Sequence, residues 1–401
     1  MKIPFYVYLL ISCLTVLSCK TEIKETPKIV ALSTIDTVFS PDSTFVVSKK
    51  LDSFIQKIKK GSYGFTNELF IAKNGKLLYQ QTFTNNYNVI SQNKKGALGC
   101  GFNTCADSTN INPYNYYHPQ YHPYYKNTRL HTLQSITKSV TATVIGCALK
   151  RAELTNIQAP LASYFPEIVK KDSLLAAHLA TTTIEDVLTM QLGLEWNEMT
   201  APLDSTNDVV AMEKSKDWIA YIFSKKPDAA TLKKWNYSSG ASILLSEIIK
   251  QASGKTIDEY AEEVLFGKLG ITNYHWKKIP GGLPDTEGGL YLSTKDLAKI
   301  GQLYLNEGMW DGEQLLTKQW IIEATSKKAK NIMGNNSNEG YGYQWWLPDT
   351  PNKVIVGLGF GNQILLIIPE KNVVGVVNSW NIFDNEGSYI FSDFLEQLMY
   401  L

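Results

Sequence analysis

Neither charge predominates in this chain: 39 Lys and Arg stand against 38 Asp and Glu, a formal net charge of +1. No compact Lys/Arg run breaks that balance. Nucleic acid is therefore excluded as a partner, because phosphate binding needs a basic surplus on one face. Cysteine is scarce, at five residues, and no Cys-x-x-Cys pair occurs. That leaves no cysteine metal site. Neither Gly-x-Ser-x-Gly nor His-Glu-x-x-His is present, which removes two common hydrolase signatures. No internal repeat is visible. The apolar and charged fractions, 44% and 19%, are those of an ordinary globular protein. A chain of 401 residues exceeds the usual single-domain size. One large domain with an inserted subdomain, or two domains, is expected.

The first residues, "MKIPFYVYLLISCLTVLSC", carry one basic residue and then an apolar run too short for a comfortable membrane span. The run closes on Val16-Leu17-Ser18-Cys19, which resembles a bacterial lipobox with a leucine larger than the residue usual before its Ser-Cys. The resemblance implies a lipoprotein signal peptide over 1–19, cleavage before Cys19, and lipid on its sulfur. An ordinary secretory leader is the alternative. Either leader implies export, and the lipid implies a membrane-anchored protein of the periplasm or cell surface. Export also allows Cys100 and Cys105 to close a small disulfide. Cys147, inside an apolar stripe, reads as a buried thiol.

Residues 20–50 are Thr/Ser/Lys-rich with little periodicity, suited to a flexible tether, and the folded domain is read as 51–401. "LDSFIQKIKKG" has helical spacing that stops at Gly61, and "NELFIAKNGKLLYQQTF" is a hairpin turning at Asn74-Gly75. Helical patterns fill about 155–280. Late in the chain, "NQILLIIPEKNVVGVVNSW" gives two β-branched runs around a turn, and "NEGSYIFSDFLEQLMYL" closes as an amphipathic helix. This pattern predicts an α+β fold, an α/β sandwich. Its antiparallel sheet is assembled from N- and C-terminal strands, with flanking helices and an inserted, mostly helical subdomain. A cleft between the two parts is the natural site.

"LHTLQSITKSVTATVIGCALK", residues 130–150, places Ser135 and Lys138 three apart at the start of a helix, hence on one face. Val140, Val144 and Cys147 or Ala148 follow at helical spacing and bury that helix. Lys138 is then held in a cleft wall. Burial and the helix N-terminus are expected to lower its pKa toward that of a usable base. Ser-x-x-Lys alone is common, and Ser91 to Lys94 repeats it inside a loop. "WNYSSGASILL" adds Tyr237, able to relay a proton, and Ser239, just ahead of a helix. In "FGNQILLIIP", Gly361 lets backbone approach a ligand, and a strand N–H could polarise a carbonyl oxygen.

The stretches "SITKS", "TIEDVLTMQLGLEWNE", "NYSSGASILLSEIIKQASGKT", "FGKLGI", "GGLYLSTKDLAKIGQLYLNEGMWDGEQLL", "YGYQWW" and "GFGNQILLIIPEKNVVGVVNSW" run in order over roughly 128–380. In that order they resemble the serine β-lactamase and penicillin-binding-protein superfamily. The closest likeness is to its class C-related peptidases and esterases of the 6-aminohexanoate-dimer hydrolase type. The resemblance implies Ser135 as acylated nucleophile, Lys138 as proton acceptor and Tyr237 as proton relay. It implies an oxyanion hole from the N–H of Ser135 and that of Gln363, and no metal or organic cofactor. Trp196 and Trp345 are candidates for lining the cleft, as is Trp346.

Three departures narrow the substrate. The superfamily's Tyr-x-Asn is Tyr237-Ser238-Ser239. Its cation-led third motif is Phe360-Gly361-Asn362, with no charge for a substrate carboxylate. The general-base glutamate of class A enzymes has no recognisable counterpart. The expectation is a secreted serine hydrolase acting on a small ester, amide or peptide-like substrate of low negative charge. Two alternatives stay open: a D,D-carboxypeptidase or weak β-lactamase, and a non-catalytic binding or sensor protein on the same fold. Two decoys fall away. "ASGKT" at 252–256 lacks the first P-loop glycine, and Gly254 reads as a helix stop. His118 and His122 have no carboxylate or third histidine placed with them.

Overall fold

Asn74 and Gly75, both at positive φ (52° and 72°), turn the chain tightly between strands Thr66–Lys73 and Lys76–Thr82. Asn-Gly is the pair best able to adopt that turn. A computed structural model describes residues 38–85, 129–201, 205–332, 334, 338–381 and 389–401. In it the hairpin's inner strand pairs antiparallel with Val373–Ser379. The sheet continues through Gln363–Ile368, Ile355–Gly359, Trp346–Leu347, Gly340–Tyr341 and Ala329–Lys330, all antiparallel. The two ends of the chain thus meet in one nine-stranded sheet, as the sequence predicts. Its outer edge adds a short parallel strand, Ser40–Pro41, against Lys76–Leu77.

Residues 38–50, the described part of the expected tether, join this body. Phe39 is buried with its ring 5.0 Å from that of Phe70, and Ser48 caps the helix Lys49–Lys59. Alternation along each strand splits the core in two. Ile364, Leu366 and Ile368 face Leu51, Phe54, Phe394 and Leu398, from the helices Lys49–Lys59 and Phe391–Met399. Leu365 and Ile367 face the other way, into the cluster holding Val140, Leu297 and Ile300. The helix Thr294–Leu305 lies so close on that face that a Cβ on Gly301 would sit 2.5 Å from Val374 Cγ2.

Helix Ile136–Arg151 is buried from Ile136 to Ala148, wedged between the sheet and a helical lobe. A helix with no wet face is a core element, and here it carries Ser135 and Lys138 to the junction. The lobe includes Ile184–Leu188, Asp208–Lys214, Trp218–Phe223 and Ser239–Ser253, the last stopped by Gly254 at φ 74°. Cys147 is a free, buried thiol whose pKa is pushed up to about 12 by burial. Cys19, Cys100, Cys105, His118 and His122 lie outside the described residues.

Candidate active site

A three-stranded sheet of His131–Thr132, Leu290–Leu292 and His275–Trp276 leads into the site. The chain leaves Thr132 and turns through Gln134 at φ 48°, a costly conformation for a residue with a side chain. Thr132 Oγ1 accepts from Gln134 Nε2 at 3.0 Å. Ser135 follows immediately as N-cap of helix Ile136–Arg151, half-buried. One turn on, Lys138 Nζ donates to Ser135 Oγ at 2.9 Å. Its other donors go to Glu287, at 2.8 Å to the backbone carbonyl and 3.2 Å to Oε2.

The loop presenting Glu287 is fastened on three sides. Asp285 Oδ1 accepts from the N–H groups of Glu287 and Gly288, each at 3.0 Å. Thr286 Oγ1 donates to the Ser242 carbonyl at 2.8 Å, tying the loop to helix Ser239–Ser253. Leu290 N–H donates to Thr137 Oγ1 at 3.1 Å, tying it to helix Ile136–Arg151.

Tyr237 enters from the lobe. Asn236 N–H donates to the Met190 carbonyl at 2.8 Å, and its Nδ2 to the Trp196 carbonyl at 2.9 Å. The Tyr237 ring stacks on Trp346 with centroids 5.6 Å apart, and Lys138 Nζ lies 5.3 Å from its centre. The Ser135 hydroxyl lies beside the Tyr237 phenol. Ser238 is the N-cap of the following helix. Ser239 donates from N–H and Oγ to Glu198, both at 2.7 Å, and Trp196 Nε1 donates to Glu198 at 2.9 Å.

These groups open onto one cavity of about 300 Å³. Ser135, Tyr237, Ser239 and Phe360 line it, together with Trp346 and Leu358. Lys138 stands just behind, 1% exposed. Gly361, Asn362 and Gln363 are not in the lining. Gln363 is fully buried, its amide spent on Phe360, Gly361 and Ser379 backbone. Trp345 is likewise a core residue, its Nε1 donating to Tyr304. Trp196 lies outside the lining and packs on Gly240, with its indole N–H on Glu198. The wall instead includes Glu198, Glu213 and Glu287, which sequence reasoning did not single out. Among the described residues, no group of three or more His, Cys, Asp or Glu is placed to hold a metal ion.

The charge state of Lys138 differs from the expectation. Burial does disfavour its ammonium, but the negative charge facing it, Glu287 at 3.2 Å above all, outweighs burial and holds its pKa above the ordinary lysine value. Burial likewise raises Tyr237, so the phenol is neutral. Burial, reinforced by the Glu287 charge, pushes the Glu213 carboxyl well above its usual value. Burial opposes the charge on Glu287 too, but the Lys138 ammonium outweighs it and keeps Glu287 below the usual carboxylate value. Lys138 therefore rests as an ammonium paired with an anionic Glu287.

Residues 71–386 match the family Beta-lactamase. A 6-aminohexanoate-dimer hydrolase of Paenarthrobacter ureafaciens is 24% identical over 269 residues, 62% of this chain and 66% of that protein. The chain thus spans slightly less than two thirds of that relative. Among solved structures, a provisionally assigned 6-aminohexanoate-dimer hydrolase from Bacillus anthracis superposes with a TM-score of 0.65. It is 17% identical, over 92% of this chain and 89% of that one. A penicillin binding protein from Bacillus halodurans superposes at 0.56 and 15% identity, over 87% and 99%. At these identities the two structures speak for a shared fold.

Proposed function

The chain belongs to the beta-lactamase family of hydrolases, and from that premise we propose that it cleaves an ester or amide through an acyl-enzyme on Ser135. The observation that carries this reading is Lys138 Nζ at 2.9 Å from Ser135 Oγ, with Ser135 and Tyr237 lining one cavity and Lys138 just behind it. Ser135 Oγ attacks the carbonyl carbon. Lys138 and Tyr237 carry the proton from the hydroxyl to the leaving group, and water then releases the acid by the same route.

The oxyanion formed in the attack needs two donors. The Ser135 N–H at the helix start is one. Phe360 supplies the second in place of Gln363. It is the first residue beyond strand Ile355–Gly359 and lines the cavity, whereas Gln363 is turned into the sheet. The substrate is a small neutral or cationic ester, amide or peptide-like molecule. Among the described residues three carboxyl groups and no Lys or Arg line the cavity, which disfavours a carboxylate-bearing β-lactam or peptidoglycan stem. One relative is named a 6-aminohexanoate-dimer hydrolase, and two amino acids joined as a dimer share an amide, which agrees in bond type. We further propose that the chain is exported and held to a membrane by lipid on Cys19, in the periplasm or at the cell surface.

The test incubates protein lacking residues 1–19 with a fluorophosphonate probe, beside Ser135→Ala and Lys138→Ala. Labelling confined to the unmutated protein supports an activated Ser135, and turnover of p-nitrophenyl esters or short amides in preference to cephalosporins supports the substrate class. Labelling that survives Ser135→Ala names the wrong nucleophile. A folded protein that is never labelled sinks the hydrolase reading in favour of a binding role.

A further inference from the structure

An ammonium has no lone pair, so Lys138 as it rests cannot by itself take the Ser135 proton. Each neighbouring group can be asked whether it can. Tyr237 is a neutral phenol. Burial raises the Glu213 carboxyl well above its usual value, and the ion pair of Lys138 is made with Glu287. The Glu198 oxygens are occupied by Ser239 N–H, Ser239 Oγ and Trp196 Nε1. Glu287 remains: an anionic carboxylate, 6% exposed, lining the cavity, with Oε2 at 3.2 Å from Lys138 Nζ. Its loop is fastened to both catalytic helices through Thr137 and Ser242, so that distance is built into the fold.

Resting on the hydrolase reading above, we propose that Glu287 is the final acceptor of the Ser135 proton, reached through Lys138. As the Oγ–carbon bond forms, one Nζ–H proton passes to Glu287 Oε2, the freed nitrogen takes the Ser135 proton, and the carbonyl electron pair moves onto oxygen. Lys138 ends as it began, an ammonium. One negative charge has moved from Glu287 to the oxyanion. On collapse the carbonyl reforms, and the leaving oxygen or nitrogen takes a proton from Tyr237. Lys138 restores the phenol and Glu287 restores Lys138. Glu287 acts through Lys138 and is a positioning residue for the charge. Around it stand Lys138, Tyr237, Glu198, Glu213, Asp285 and Lys277.

The experiment measures the fluorophosphonate labelling rate from pH 5 to pH 10. In the unmutated protein the rate is expected to be flat through neutrality and to fall on the acid side, where Glu287 gains a proton. Glu287→Gln keeps an acceptor for the Lys138 N–H but no base. At pH 7 it should label about 100-fold more slowly or worse. Its rate should then climb with alkaline pH, as Lys138 itself becomes deprotonated. Glu287→Asp should restore part of the neutral rate. Equal or faster labelling of Glu287→Gln at pH 7 would overturn the proposal, because a neutral-lysine base gains when its counter-charge is removed. An equal loss at every pH would also overturn it, as the mark of a merely structural residue. Should the variants fold poorly, the unmutated profile still decides: a rate climbing about tenfold per pH unit between pH 7 and pH 9 refutes Glu287 as acceptor. No labelling of the unmutated protein fails the hydrolase reading itself, a separate outcome.

Discussion

Gly359→Ala places one methyl group where strand Ile355–Gly359 meets the loop leading into Ser135. A Cβ there would lie 2.3 Å from the Leu133 carbonyl oxygen, 2.8 Å from Gln363 Cβ and 3.0 Å from Gln134 Cβ. The first contact is about 1 Å inside ordinary van der Waals separation. Its partner is backbone, one residue before strained Gln134 and two before Ser135, so no side chain can rotate away. Either the strand end carrying Phe360 or the loop carrying Ser135 must move by about that distance. Overpacking of this kind costs about 1–3 kcal/mol, and a displacement of about 1 Å at reacting groups costs about 100-fold in rate. Thermal melting and the second-order labelling rate of Ser135 report the two effects separately. Gly301→Ala is the control. Its Cβ would meet the Val374 methyl at 2.5 Å, across the helix–sheet interface, so it should lower the melting temperature and leave the labelling rate unchanged. A folded Gly359→Ala that labels within twofold of the unmutated protein would refute the argument that this glycine sets the Ser135–Phe360 spacing.

Lys138→Met should abolish labelling and cost about 3–5 kcal/mol by stranding the Glu287 carboxylate; denaturant melts should show Lys138→Met/Glu287→Gln regaining much of that stability without regaining activity. Burial holds the His131 imidazole down to about 4, so stability is complete above the unfolded value near 6.5 and is lost as pH falls toward 4, where the unfolded chain binds the proton first. The loss amounts to roughly 3 kcal/mol, and His131→Gln should flatten the dependence of melting temperature on pH across that window. Cys19→Ser should move the expressed protein from the membrane fraction to the soluble fraction, and an unchanged membrane fraction would count against the lipid.

The sheet was legible because its signals are local and strong. Asn74-Gly75 adopts the positive φ angles a tight hairpin needs, and the alternation of Ile364 to Ile368 assigns each side chain to one of two cores. Gly254 stops its helix as its position predicts. The parallel edge strand Ser40–Pro41 was not legible. A two-residue pairing has no periodicity, and it depends on Phe39 finding Phe70 from a distant part of the chain. The register of Phe360-Gly361-Asn362 also escaped the sequence. Which backbone N–H of a glycine-rich turn faces a cavity depends on where the strand ends, and Gly359 closes it one residue before Phe360.

Ser135, Lys138 and Tyr237 could be found because helical spacing and motif order bring them together. The ionisation of Lys138 could not, because it depends on carboxylates far away in sequence. Glu287 follows Lys138 by 149 positions and sits in a loop whose "DTEGG" carries no motif. A buried ammonium beside a lone serine hydroxyl is costly unless a counter-charge is supplied, and any counter-charge close enough to stabilise it is also close enough to exchange a proton with it. The expectation of a lowered lysine pKa counted the burial and left out this neighbour. Once a lysine is fully enclosed, its protonation state is decided by what encloses it, so the base strength of a Ser-x-x-Lys pair has to be read from the opposing wall of the cavity. In this chain that wall is Glu287, held in place by Asp285, Thr286 and Leu290.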